Sequence, residues 1–181
     1  MDSKPRIALI GGGVRSGKSS FAIELAKRMG TRRAFVATAR ASDPEMEARI
    51  DRHQRDRRDA FTTIEEPLAL EEAIVSLEGF DVVVVDCLTH WLTNLLVRED
   101  PIERILDKVD GVVDALARRR FHAVLVTNEV GMSIHPPTAL GRAFVEVSGW
   151  AHQRFAPAAD EIYLAVLGTV VRMKPAWEDR S

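Results

Sequence analysis

Gly12 to Ser19 reads G-G-V-R-S-G-K-S, a full match to G-x-x-x-x-G-K-[ST]. This stretch restricts the fold more than any other in the chain. Its glycines let successive backbone N–H groups turn inward and form a concave anion site. Such a loop needs a buried strand that delivers the chain and a helix that leaves with its positive end toward the anion. Both flanks are present. Ile7 to Ile10 is a short apolar run, and Lys18 to Met29 places Phe21, Ala22, Leu25 and Ala26 on one helical face. The loop residues Gly12, Gly13, Val14, Arg15, Ser16, Gly17, Lys18 and Ser19 are therefore read as nucleotide-binding. Lys18 supplies a point charge to the β- and γ-phosphates, and the Ser19 hydroxyl is a ligand for Mg²⁺.

The rest of the chain repeats the alternation. Ala34–Thr38, Val82–Asp86, Ala123–Thr127 and Glu161–Val166 are continuous apolar runs, largely β-branched, and Phe61–Glu66 is a weaker one. Runs without polar alternation suit strands buried on both faces. Helical patterns separate them. Asp43-Pro44-Glu45 has the form of a helix start. Pro101 opens a segment in which Ile102, Ile105, Leu106, Val109, Val112, Val113 and Leu116 recur at helical spacing. Thr138 to Phe155 predicts another helix, bent near Gly149, and Leu167-Gly168 predicts a hairpin turn. Strands alternating with helices imply right-handed crossovers. The expected fold is α/β: a P-loop NTPase-like, doubly wound, mostly parallel sheet with helices on both faces and an antiparallel edge hairpin at the C-terminus. No repeat or linker divides residues 1–181, which are read as one nucleotide-binding domain with a frayed tail from Ala176.

Composition narrows the function classes. A formal net charge of -2 provides no global field for nucleic acid. One cysteine, Cys87, allows no intrachain disulfide, and no Cys/His pairs have zinc spacing. The N-terminus lacks a signal-peptide pattern, and no apolar run approaches the ~20 residues of a membrane helix. A soluble, cytoplasmic protein is expected.

Three further stretches of the chain point to chemistry. Asp86 ends an apolar run, on the edge that carries the loop after the first strand, where a carboxylate holds Mg²⁺ or caps the next helix. Asn128 and Glu129 follow the Ala123–Thr127 run, where open α/β sheets have their ligand crevice. Glu129 is read either as a base for an acceptor hydroxyl or as a brace for its loop. The charged stretch Glu47 to Arg58, E-A-R-I-D-R-H-Q-R-D-R-R, surrounds His53. Helical spacing puts Met46, Ile50 and His53 on one face, with Arg49 and Arg52 beside it. By composition the stretch is a solvated helix face. Beside a phosphate site it is also a histidine among cations that favour its neutral, nucleophilic form. His90 and Cys87 read as packing residues, and His122 as the start of a strand.

With these residues in order, the chain resembles the bifunctional adenosylcobinamide kinase/adenosylcobinamide-phosphate guanylyltransferases of cobalamin synthesis. The likeness runs through GGVRSGKS, FVATA, DPEMEARIDRHQ, DCLTHWLTNLL, VTNEVGMSIHP and ADEIYLAVLG. It implies that a nucleoside triphosphate, ATP or GTP, phosphorylates the aminopropanol hydroxyl of adenosylcobinamide. GTP then transfers GMP to that phosphate through a guanylylated histidine, with adenosylcobinamide-GDP and pyrophosphate as products. It further implies Mg²⁺, a homotrimer, His53 as the nucleophile, and nucleotide contacts from Ala37, Thr38, Ala39, Glu65 and Asp86. Some members carry two adjacent histidines here; Arg52 holds the earlier place, which leaves His53. The chain departs from the family pattern at Phe61, which stands near a tryptophan place, at His152-Gln153, where Asn-Gln is common, and at S-I-H-P-P from Ser133 to Pro137. A plain small-molecule P-loop kinase and a nucleotide-dependent binding module are the competing readings.

Overall fold

The computed structural model describes residues 4–40, 60–132 and 134–175. Its elements in chain order are β1 (Ile7–Gly12), α1 (Lys18–Met29), β2 (Arg33–Ala37), β3 (Thr62–Glu65), α2 (Leu70–Ser76), β4 (Val82–Asp86), α3 (Leu88–Val97), α4 (Ile102–Ala117), β5 (His122–Val126), α5 (Ala139–Ala158), β6 (Glu161–Val166) and β7 (Thr169–Lys174). The strands form one sheet in the order β3-β2-β4-β5-β1-β6-β7. All pairings are parallel except β6 with β7. The expected hairpin is present, with positive φ at Leu167 and Gly168, the requirement of a two-residue type I′ turn.

Burial on both faces explains the valine-rich strands. In β4, Val83 and Val85 enter the core under α2, α3, α4 and α5, while Val82 and Val84 pack on the α1 side. β5 divides likewise, with Ala123 and Leu125 on one face and Val124 and Val126 on the other. Neither strand has a face for water, so neither carries the polar alternation of a half-exposed strand.

Two strands sit one residue earlier than the apolar runs indicate. Arg33 and His122 join the ladder opposite Val82, while Thr38 and Thr127 fall just past it. Both threonines still continue the strand bonding, through Thr38 N–H to Asp86 O at 3.2 Å and Thr127 N–H to Ile10 O at 2.9 Å. Helix α5 is unbroken at Gly149 and runs on through Pro157. Its C-terminal carbonyls are gathered by the Lys174 ammonium, which donates to Ala156, Pro157 and Ala159 O at 3.2, 3.4 and 2.6 Å. Thr138 caps its start by accepting from Gly141 N–H at 3.1 Å. Helix α2 was not expected. Leu70 and Ile74 bury its inner face, and the Glu66 carboxylate accepts from Leu68 and Ala69 N–H at 2.8 and 2.7 Å.

The N-terminal end of β6 holds a buried charge network. Glu161 is 5% exposed. Its carboxylate accepts from Arg6 at 2.9 Å, Arg172 at 3.2 Å and the Tyr163 hydroxyl at 2.9 Å. Removing the acid leaves two arginines facing each other around a void. Because both arginines are partly exposed, the cost is below that of a fully buried pair: about 2 kcal/mol. Glu161→Ala is expected to lower the thermal midpoint by about 4–8 °C for a chain of this size, read by calorimetry.

Candidate functional site

The loop between β1 and α1 has the form its residues predict. Gly17 closes it as the N-cap of α1, with φ 92°, a left-handed value that favours glycine. Gly12 is needed for a different reason: a Cβ there would lie 2.5 Å from Ala165 O and 2.8 Å from Ser16 Oγ. The loop is therefore pressed against the end of β6, and any side chain at Gly12 would force it away. Lys18 is 8% exposed and donates from Nζ to Gly13 O at 2.9 Å, so its charge lies across the loop mouth. Ser16 Oγ is buried without a hydrogen-bond partner among the described residues. A loop that buries a hydroxyl and a lysine beside a helix N-terminus is built for a phosphate-like anion.

A second row of predicted residues lies along the same C-terminal sheet edge. Ala37 pairs with Glu65 on one side and with Asp86 on the other. The turn after β2 is fixed by α3, where Asn94 Nδ2 donates to Thr38 O at 2.8 Å and Pro67 O at 3.0 Å. Thr38 is fully buried. Its hydroxyl donates to Cys87 O at 2.7 Å and accepts from Cys87 N–H at 2.8 Å. Every polar group of Thr38 thus has a partner inside the fold. Its side chain clamps β2 to β4, and Ala37 and Ala39 are left to line the turn. Glu65 is exposed at the end of the edge strand, four strand positions from β1, or about 19 Å at ordinary strand spacing. The predicted nucleotide residues therefore form two clusters, the loop and the β2–β3–β4 row. Asp86 is the row member nearest the loop, with β5 between them.

Asp86 is not a helix cap. The N-cap of α3 is Cys87, and no side chain caps that helix. This removes the structural alternative for Asp86. Ser19 and Asp86 are hard oxygen donors of the type Mg²⁺ takes together with phosphate oxygens and water. No group of three or more His, Cys, Asp or Glu side chains among the described residues could hold a metal by itself. The donor set thus fits a cation that arrives with a nucleotide.

Cys87, next to Asp86, is chemically quiet. Burial, and then the Asp86 charge, push its thiol up to about 11. The native chain is expected to resist iodoacetamide at about pH 8 and to label fully once unfolded, as read by intact mass.

At the end of β5, between the loop and Asp86, lie Thr127, Asn128 and Glu129. Glu129 N–H donates to Gly12 O at 3.1 Å, which ties this segment to the loop. Asn128 Nδ2 donates to Thr89 Oγ1 at 2.9 Å. His53 and the charged stretch around it, the Asp43-Pro44 helix start, Ser133 and the tail with Trp177 lie outside the described residues. Among the described residues, no helix is long and apolar enough to cross a membrane. Trp91 is a core residue whose Nε1 donates to Leu68 O at 2.9 Å.

Comparison with known proteins agrees with the fold. Among solved structures, the chain resembles protein PH0250 of Pyrococcus horikoshii OT3 with TM-score 0.57 at 10% identity, covering 93% of this chain and 86% of that one. It also resembles the flagellar accessory protein FlaH of Methanocaldococcus jannaschii with TM-score 0.50 at 13% identity, covering 94% and 79%. These likenesses show the P-loop NTPase-like α/β fold. In sequence, it is 39% identical over 167 residues to the bifunctional adenosylcobalamin biosynthesis protein CobP of Pseudomonas aeruginosa, covering 92% of this chain and 96% of the relative. It is 36% identical over 179 residues to the corresponding CobU protein of Escherichia coli K12, covering 92% and 98%. The sequence model described as CobU, cobinamide kinase / cobinamide phosphate guanyltransferase, matches residues 8–173. With the phosphate loop, the strand-end acids and the sheet order all inside that match, the chain belongs to the bifunctional adenosylcobinamide kinase/guanylyltransferase family of cobalamin biosynthesis.

Proposed function

We propose that the two family reactions divide between the named residues as follows. In the kinase step the acceptor hydroxyl oxygen attacks the γ-phosphorus of a nucleoside triphosphate. The bond to the β-phosphate oxygen breaks, and a nucleoside diphosphate leaves. The loop N–H groups, Lys18 and the start of α1 hold the triphosphate and stabilise charge that shifts toward the β-oxygens. Ser19 and Asp86 hold Mg²⁺, which neutralises phosphate charge when bound. In the second step an imidazole nitrogen of His53 attacks the α-phosphorus of GTP. A P–N bond forms and pyrophosphate leaves. A phosphate oxygen of adenosylcobinamide phosphate then attacks the same phosphorus, the P–N bond breaks, and His53 is regenerated. The covalent relay splits a hard transfer into two easier ones. Ala37, Ala39 and Glu65 face the nucleotide from the β2–β3–β4 row.

The observation that carries this reading is the Lys18 loop and Asp86 on one sheet edge, within a match covering residues 8–173. The acting form is a homotrimer in the cytoplasm, and sedimentation equilibrium reads the stoichiometry. The test of the chemistry uses adenosylcobinamide with γ-labelled nucleotide, then its phosphate with α-labelled GTP. Label in both corrinoid products is expected. Label from the γ-position alone selects a plain kinase.

A further inference from the structure

Glu129 and His152 are brought together by the fold from elements 23 residues apart in sequence, and neither role above uses them. Glu129 follows β5, the strand between the phosphate loop and Asp86. Its backbone is bonded to Gly12 O at 3.1 Å, so its position is tied to the first residue of the loop. Its carboxylate is half committed: Oε1 accepts from Gly131 N–H at 2.8 Å. Oε2 faces His152 Nδ1 at 3.8 Å, beyond hydrogen-bond length, with the two side chains 30% and 19% exposed. On its other side, His152 Nε2 lies 2.8 Å from the hydroxyl of buried Thr127.

The chemistry of this row is directional. Burial lowers the pKa of His152 and the Glu129 charge only partly opposes it, so the ring is neutral near pH 7 and carries one N–H. A carboxylate facing Nδ1 favours that proton on Nδ1. Nε2 is then an acceptor, and the Thr127 hydroxyl donates to it. The ring is fixed on a buried hydroxyl and offers its N–H toward Glu129. Oε1 is held by Gly131 N–H, and Oε2, 3.8 Å from the ring nitrogen and not bonded to it, is the oxygen left to receive a proton beside the phosphate loop. Phosphoryl transfer to a hydroxyl needs a group to receive its proton. Among the described residues, Glu129 is the acid whose backbone is bonded to the loop.

We propose that Glu129 takes the proton of the acceptor hydroxyl in the kinase step, and that His152, anchored on Thr127, is the residue that positions it. As the hydroxyl oxygen bonds to the γ-phosphorus, its O–H bond breaks and the proton passes to a Glu129 oxygen, to be released to water after the diphosphate leaves. The inference rests on the kinase reading of this site.

Glu129→Gln tests the proposal with the fold preserved, because the amide oxygen still accepts from Gly131 N–H. Phosphorylation of adenosylcobinamide is expected to lose roughly 10²-fold or more in kcat, with the Kd for the nucleotide within about threefold and an unchanged thermal midpoint. His152→Leu is expected to lose about tenfold in kcat at unchanged nucleotide KM, and His152→Gln to recover most of the loss. If Glu129→Gln phosphorylates within about threefold of the wild type, the proton-acceptor role is overturned and the kinase reading stands. Equal loss in the Leu and Gln variants, with lowered midpoints, overturns the positioning role. A wild-type chain that transfers no phosphate overturns both.

Discussion

Lys18→Ala is expected to reduce phosphoryl transfer about 10³-fold, the scale for loss of one charge-stabilising donor in a water-poor site. The lysine is 8% exposed and lies against the loop it serves, with Nζ on Gly13 O. Truncation removes the charge and leaves the backbone cradle. Nucleotide affinity should therefore weaken less than turnover falls. The loss belongs to kcat, because charge on the bridging β-oxygen grows on the way to the transition state. Lys18→Arg is not expected to rescue. A planar guanidinium is wider than an ammonium, and the site at the start of α1 is enclosed. Rapid-quench assays with γ-labelled nucleotide and equilibrium binding separate the two effects.

His53→Ala is expected to abolish covalent guanylylation while the thermal midpoint stays at the wild-type value. The reasoning is chemical. A guanylyl-enzyme needs a nucleophile that is neutral near pH 7 and forms a bond weak enough to pass the nucleotide on. Imidazole satisfies both requirements. Arg49, Arg52, Arg55, Arg57 and Arg58 surround His53 in sequence, with Asp51, Asp56 and Asp59 between them. Cations disfavour the imidazolium and help neutralise the leaving pyrophosphate. Arg52 and Gln54 flank His53, so no adjacent imidazole is available to take over. Intact-mass measurement after incubation with GTP reads the outcome directly.

The fold was legible where burial is symmetrical. A strand covered on both faces has to be apolar throughout, which is why Val82–Val85 announced itself. The loop was legible because glycine, lysine and serine are each required by its geometry. Helix α2 was not, because Leu70–Ser76 is short and its start is organised by the Glu66 side chain rather than by an ordinary cap residue. The donor that meets the carbonyls at the end of α5 is Lys174, which comes from the other side of a hairpin and cannot be read locally.

The site shows the same division. Its phosphate loop could be read residue by residue. The bonding of Thr38 could not: the resemblance implies a nucleotide-contacting turn there, and the link from its hydroxyl to Cys87 is visible only in the fold. Asp86 kept two readings in sequence, and only the observed N-cap at Cys87 removed one. His152 stood out in sequence only as a departure from the family pattern, with no partner to read beside it. Its partners, Thr127 and Glu129, lie on another element, and only the packing of α5 beside the end of β5 brings them together.

A covalent guanylyl relay on one nucleotide-binding fold must leave the nucleotide on the protein between the two half-reactions. The most direct measurement incubates the chain with Mg²⁺ and α-labelled GTP, denatures it, and follows label on the protein. Acid-labile, base-stable label is expected, discharged by adenosylcobinamide phosphate and missing in His53→Ala. Absence of label from a wild-type chain that binds GTP, or label that persists in His53→Ala, would contradict the relay.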